Sequence, residues 1–195
     1  MHALFETPRF YARALTQPDL PSLQALFEAN PDYFVAVGGQ PPRADEAQQE
    51  FNELPPPHLP FGARWFAGLF DGANVLRGIA IVVSDLSAPA VWHIALFFLE
   101  EGSRRTGASH EIYDALENWI RASGGSWIRL GVVHGNLPAE RFWVKCGFTE
   151  TRTREFVNAS GQTKTVRVLV KSVTGGTIDS YLQLVPRDQP GSTLE

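Results

Sequence analysis

Leu96-Phe97-Phe98-Leu99-Glu100-Glu101-Gly102-Ser103-Arg104-Arg105-Thr106-Gly107-Ala108-Ser109-His110 is the stretch on which the fold turns. It opens as an apolar strand, passes through a small, basic turn and enters a helix. Ile112, Tyr113, Leu116, Trp119 and Ile120 recur on one face, so the spacing predicts an amphipathic helix from Thr106 to Ala122. The first turn of a helix carries backbone N–H groups with no partner inside the helix, and its dipole is positive there. An anion can dock on such an end if side chains do not keep it away. Gly107, Ala108 and Ser109 leave that room, and Arg104 and Arg105 add charge. On chemistry alone the segment is either an anion cradle or an ordinary loop entering a helix.

A second segment, Asn136-Leu137-Pro138-Ala139-Glu140-Arg141-Phe142-Trp143-Val144-Lys145-Cys146-Gly147-Phe148, follows further along the chain. Asn136 is a good N-cap, Pro138 suits the first helical turn, and Gly147 ends the helix expected over Pro138–Cys146. Between the two segments, Gly124-Gly125 stops the first helix and Trp127–Val133 reads as a strand. Upstream, strands are expected over Phe10–Leu15, Ala63–Phe70, Val75–Ser84 and Val91–Leu99. Pro18-Asp19 opens a helix carrying Leu20, Leu23, Leu26 and Phe27, which Asn30-Pro31 stops. Asp32–Pro42 reads as loop or short helix, Ala44–Leu54 as a second helix, and Pro55–Pro60 as an extended connection. Downstream, Phe148–Val157 and Thr163–Lys171 form a hairpin around Asn158-Ala159-Ser160-Gly161. Tyr181–Val185 alternates like a short extra strand, and Pro186–Glu195 reads as a loose polar tail. A meander followed by strand–helix–strand–helix–strand implies one mixed α/β (α+β) sheet with helices on both faces. We expect one domain over residues 1–171 and a C-terminal extension over 172–195.

The balance of 44% hydrophobic and 19% charged residues among 195 is that of a folded globular chain. A net charge of −4 offers no general attraction to nucleic acid or anionic lipid, so neither partner is expected. No apolar run approaches the ~20 residues of a membrane span, and Met1–Glu6 lacks the basic, apolar pattern of a signal peptide. Cys146 is the single cysteine, which precludes an internal disulfide and fits a cytoplasmic setting. It falls on an apolar helix stripe and reads as a core residue. The five histidines show no metal-ligand spacing, so no metal is expected.

Taken together, the two segments resemble the central motifs of the GNAT superfamily of acyl-CoA-dependent N-acyltransferases. Arg104-Arg105-Thr106-Gly107-Ala108-Ser109 is similar to the family's (Arg or Gln)-x-x-Gly-x-(Gly or Ala), with Ser109 in place of the last small residue. Asn136-x-x-Ala139-x-x-Phe142-Trp143-x-x-x-Gly147-Phe148 looks like the family's Asn-x-x-Ala-x-x-Phe-Tyr-x-x-x-Gly-Phe. The resemblance implies the GNAT fold, with a mostly antiparallel central sheet, and acetyl-CoA as co-substrate. Backbone from Arg104 to Ser109 would hold its pyrophosphate; Phe97, Asn136, Ala139, Phe142 and Trp143 would flank its pantetheine arm. The backbone N–H of Leu99 would polarise the thioester carbonyl. Many family members carry Tyr at the position of Trp143, where the hydroxyl protonates the departing thiolate; an indole cannot do so.

The implied reaction is acetyl transfer to a primary amine of a small molecule, by direct attack in a ternary complex. A base is then expected. His93 is the first candidate, placed on the same strand face as Leu99 by period-2 alternation, though a core strand histidine fits equally well. Glu100 is a second candidate, with a solvated turn as its alternative, and His134 a third. Tyr33 and Phe34 are expected to line the acceptor pocket, with the Gly38–Pro42 loop and Trp65 beside them. Peptide N-acetylation and a non-catalytic CoA sensor are the alternatives. A homodimer, with Tyr181–Val185 crossing its interface, is a further expectation.

Overall fold

The computed structural model describes residues 2–158 and 160–194. Strands form where apolar and β-branched residues run together: β1 (Phe5–Glu6), β2 (Phe10–Ala14), β3 (Arg64–Asp71), β4 (Leu76–Val83), β5 (Val91–Leu99), β6 (Trp127–Val133), β7 (Thr149–Val157) and β8 (Thr163–Ser172). Helices are α1 (Leu20–Glu28), α2 (Pro31–Gly38), α3 (Glu46–Asn52), α4 (Ala108–Ala122), α5 (Leu137–Lys145) and α6 (Ile178–Leu184). Most expected elements are present within a residue or two. The segment from Asp32 resolves as a helix because Pro31 opens it and Gly39, with φ +79°, closes it. Of the expected hairpin turn, Ala159 lies outside the described residues.

The strands form one sheet in the order β1-β2-β3-β4-β5-β6-β8-β7. Every pairing is antiparallel except β5 with β6. That parallel pairing spans only Val91–Ile94 against Trp127–Leu130. Beyond it the two strands part, and Ala95 and Gly131 are exposed in the middle of the sheet. On one face α4 and α5 pack Tyr113, Leu116, Ile120 and Trp143 against Trp92, Ile94, Ile128 and Leu130. On the other, α1 buries Leu23 and Phe27 against Phe66, Phe70, Ile79 and Phe98. Full burial of each such side chain contributes about 1.5–3 kcal/mol.

Two expectations fail. Tyr181–Val185 is not a strand but the end of helix α6 and its C-cap, Val185: Thr177 caps the start by accepting from the Ser180 N–H, and Tyr181 is fully buried against Trp127. The stretch after it is also tied down as far as Asp188. A 3-10 turn over Pro186–Asp188 buries Asp188, which takes a bidentate pair from Arg129 of β6 at 2.7 and 3.0 Å and a hydrogen bond from the Tyr181 hydroxyl at 2.5 Å. Glu195, the last residue of the expected loose tail, lies outside the described residues.

Candidate active site

The parting of β5 and β6 positions the site, because it opens the sheet between its two faces. On the α4 side lies a cleft of about 980 Å³. Its floor is Phe97 and Leu99, its rim is the turn into α4, and its far wall is α5 with Asn136, Ala139, Phe142 and Trp143. The turn is shaped for an anion. Arg105 and Gly107 both adopt left-handed backbone, at φ +62° and +85°. For arginine that conformation costs of order 1 kcal/mol or more. Among the described residues, the N–H groups of Arg105, Thr106, Gly107, Ser109 and His110 make no hydrogen bond; the first helical bond of α4 runs from Glu111 N–H to the Gly107 carbonyl. Ala108 is fully buried against Ile112, fixing the helix end beneath the turn. Thr106 braces the turn by donating from its hydroxyl to the Ser103 carbonyl at 2.8 Å.

The two cradle arginines divide their work. Arg104 is held in place: Nε donates to the Leu99 carbonyl and Nη1 pairs with Asp32, each at 2.8 Å. Arg105 is exposed, and the cleft adds Arg141, Lys145 and Lys164. Among the described residues Arg105 and these three enter no ion pair, whereas Arg104 does. Arg141 and Lys145 escaped the sequence reading although their i, i+4 spacing on one helix face is the signal that shows them. Asn136 accepts from the Ala139 N–H as the cap of α5. Phe142 stacks on Phe97 with centroids 5.8 Å apart, and Trp143 is buried among Phe97, Tyr113 and Phe148. A cleft with free amides, uncommitted cations and an apolar wall fits a ligand with phosphates at one end and an acyl thioester arm at the other.

On the opposite face lies a second cavity of about 1040 Å³, floored by His93, Ala95 and Leu96 and walled by α2, α3, β7 and the C-terminal segment. Tyr33 lines both spaces. Its ring packs against Phe98 and Phe34, each at 5.2 Å, while Phe34 lines neither space and packs against Phe27 in the core. Trp65 also belongs to the core, stacked on Trp92. The Gly38–Pro42 loop does not line the cavity; Gly39 instead sits against the turn of the β7–β8 hairpin, so close that a Cβ there would lie 2.8 Å from the Ser160 hydroxyl.

The expected bases fare unevenly. His93 and Leu99 do not share a strand face, because Ala95 is a bulge: Val82 pairs with Ile94 but Ile81 pairs with Leu96. His93 therefore faces the second cavity, and the Leu99 side chain packs on Ala108 and Ile112. Burial and the adjacent Arg129 guanidinium push the His93 imidazole down to about 3. Its Nδ1 lies 3.1 Å from the Arg129 carbonyl and 3.4 Å from an Arg129 nitrogen. The nearer group can only accept, which assigns the proton to Nδ1 and the lone pair to Nε2. Glu100 lines neither cavity; its carboxylate is held by Arg77 at 3.1 Å and by the Ser103 hydroxyl at 3.1 Å. His134 lies exposed at the rim of the α4-side cleft. Glu50 of α3, which the sequence reading passed over, lines the second cavity, and burial with the charges of Glu53 and Glu46 raises its carboxyl to about 7. Burial pushes the Cys146 thiol up to about 12, which removes it as a nucleophile.

Among the described residues no helix is long and apolar enough to cross a membrane, and no cluster of His, Cys, Asp and Glu could hold a metal ion. No curated protein matches the sequence. Solved structures do align over most of the chain. An acetyltransferase from Thermus thermophilus has a TM-score of 0.63 at 20% identity, covering 89% of this chain and 100% of that one. Spermidine N-acetyltransferase from Vibrio cholerae, in complex with CoA and spermine, scores 0.63 at 17% identity over 84% and 95%. The ribosomal-protein-S18-alanine N-acetyltransferase of Escherichia coli scores 0.61 at 13% identity over 86% and 96%. These likenesses establish the fold. The sequence signature of the acetyltransferase (GNAT) family matches residues 23–148, which spans both motifs and both walls of the split sheet. The chain belongs to that family, the acyl-CoA-dependent N-acetyltransferases.

Proposed function

We propose that this protein moves an acetyl group from acetyl-CoA to the primary amine of a small molecule, by direct attack in a ternary complex. The observation that carries the reading is the meeting of two cavities at the split between β5 and β6, with Tyr33 lining both. The α4-side cleft takes the cofactor and the opposite cavity takes the amine. The close approach of Gly39, at the end of α2, to Ser160 of the late hairpin supports a small acceptor over a peptide chain.

Acetyl-CoA supplies an activated acyl thioester. The free amides of Arg105, Thr106, Gly107, Ser109 and His110 hold its pyrophosphate, and Arg105, Arg141, Lys145 and Lys164 neutralise its phosphates. Backbone N–H groups of β5 past the split, Leu99 among them, polarise the thioester carbonyl. Glu50 takes the proton from the amine, directly or through water; a carboxylate that titrates near 7 is matched to that task, whereas an imidazole near 3 is a feeble base. As the C–N bond forms and the C–S bond breaks, the Tyr33 hydroxyl donates a proton to the leaving sulfur, the part that Trp143 cannot play, and the phenolate is reprotonated through water by the proton that Glu50 took. Burial and the charge of Glu50 push Tyr33 above its ordinary range, so it stays protonated at working pH.

The test is the thermal midpoint with and without acetyl-CoA, followed by thiol release across an amine panel. A bound ligand raises the midpoint by mass action. No shift at millimolar acetyl-CoA would withdraw the reading; a shift with no turnover on any amine would favour a CoA sensor.

A further inference from the structure

The acceptor cavity is lopsided in charge. Arg64, Arg129, Arg152, Arg154 and Arg187 line it against Glu50, Glu53 and Glu155. Arg64 belongs to the α3 end, donating to the Glu50 and Phe51 carbonyls at 2.6 and 3.3 Å. The other four arginines gather at the opposite end. Arg152 and Arg154 alternate on β7 with Phe156, so all three face the same way. Arg152 reaches across and donates to the Arg187 carbonyl. Arg187 donates to the Ser87 hydroxyl at 3.4 Å. Among the described residues no carboxylate pairs with Arg152 or Arg187. Asp188, next to Arg187 in the chain, is already engaged by Arg129 and Tyr181. Burial and the like charge of Arg129, with smaller contributions from Arg154 and Arg152, hold the Arg187 guanidinium below its ordinary value against the opposing charge of Asp188.

Arg152 and Arg187, half-buried at the cavity wall and without an ion-paired carboxylate, repel one another until an anion enters between them. Resting on the assignment of this cavity to the amine, we propose that the acceptor carries an anionic group, a carboxylate or a phosphorus oxyanion, seated between Arg152 and Arg187, with its amine directed to Glu50 and the strand split. The same field excludes polyamines, whose extra ammonium groups would face the arginines. The C-terminal extension is then part of the active site, because it brings Arg187.

The test separates this proposal from the cofactor reading. The protein is first saturated with CoA, which occupies the phosphate cradle. Inorganic phosphate, N-acetylglycine, its neutral amide and spermidine are then titrated at constant ionic strength while the thermal midpoint is read. Phosphate and N-acetylglycine should raise the midpoint further, and the amide and spermidine should not. Arg152→Gln and Arg187→Gln should each weaken that anion binding roughly 10- to 100-fold, the loss of a hydrogen bond to a charged group, and Arg187→Lys should restore part of it. Among acceptors that turn over, kcat/KM should fall by a similar factor in Arg152→Gln for acids alone. No anion-dependent rise in the CoA-loaded wild type, an equal rise in the glutamine variants, or a polyamine as the best acceptor would each overturn the proposal. Failure of the CoA shift itself would instead strike the cofactor reading, and repeating the anion titration on Gly107→Glu protein keeps the two apart.

Discussion

At the scale of single residues, the proposed phosphate cradle depends on backbone more than on side chains. Gly107 has left-handed backbone and open space outside it; the atom nearest to where a Cβ would stand is Arg9 Nη2, at 3.8 Å. Gly107→Glu should therefore strain the turn by about 1–3 kcal/mol and place a carboxylate where phosphates bind; the midpoint rise with acetyl-CoA should vanish. Glu50→Gln removes the proposed base, and kcat should drop about 10²–10⁴-fold. The sign of the pH dependence follows from which form works. Only ionised Glu50 accepts a proton, so wild-type rate should climb as pH rises through about 7, and that limb should disappear in the variant. If His93 were the base, the limb would lie near 3 instead. Tyr33→Phe tests the acid: kcat should fall about 10²-fold or more while KM for acetyl-CoA changes little, since the ring and its packing on Phe98 survive. An unchanged kcat would return the protonation step to water.

At the scale of elements, a single bulge and a single helix decide what the motifs alone leave open. The bulge at Ala95 reverses the facing of β5 between His93 and Leu99. Strict alternation therefore misplaces His93, because one extra residue shifts every later side chain to the other face. Helix α6 is the second case. Its apolar residues are few enough to mimic strand alternation, and what makes it helical is the Thr177 cap together with burial of Tyr181 against Trp127. The Arg129–Asp188 pair fastens this helix to the sheet. Burial on its own would raise the Asp188 carboxyl, but the hydrogen bonds and charge of Arg129 outweigh it and hold the group below its usual value. Asp188→Asn leaves Arg129 buried without its counter-charge and should cost about 3–5 kcal/mol, read as a lower denaturation midpoint. Because the folded carboxyl titrates lower than the unfolded one, the pair's contribution is full above the unfolded carboxylate range and is lost as pH falls through the depressed folded value. A midpoint in Asp188→Asn equal to wild type would show the extension to be held by Tyr181 packing alone.

At the scale of the whole molecule, the proposed function rests on a sheet that is closed at one end and open at the other. Val91–Ile94 and Trp127–Leu130 zip together, and past them the two faces communicate. In the proposed reaction cofactor and acceptor approach from opposite sides and meet at the gap, with Tyr33, which lines both cavities, beside it. The sequence alone determined the strand–helix order as far as β8, the turn from Arg104 to Ser109 and the α5 motif, because each rests on neighbours in the chain: a glycine for a left-handed turn, a cap for a helix, apolar spacing for a buried face. Tertiary structure alone decided the rest. Glu50, Arg152 and Arg187 lie far apart in sequence and on different elements, and no local pattern announces that they share a cavity. Their charges, too, acquire meaning only through burial, since a carboxylate titrates near 7 or an arginine lacks a counter-charge only where water has been displaced and the neighbouring charges are fixed by the fold.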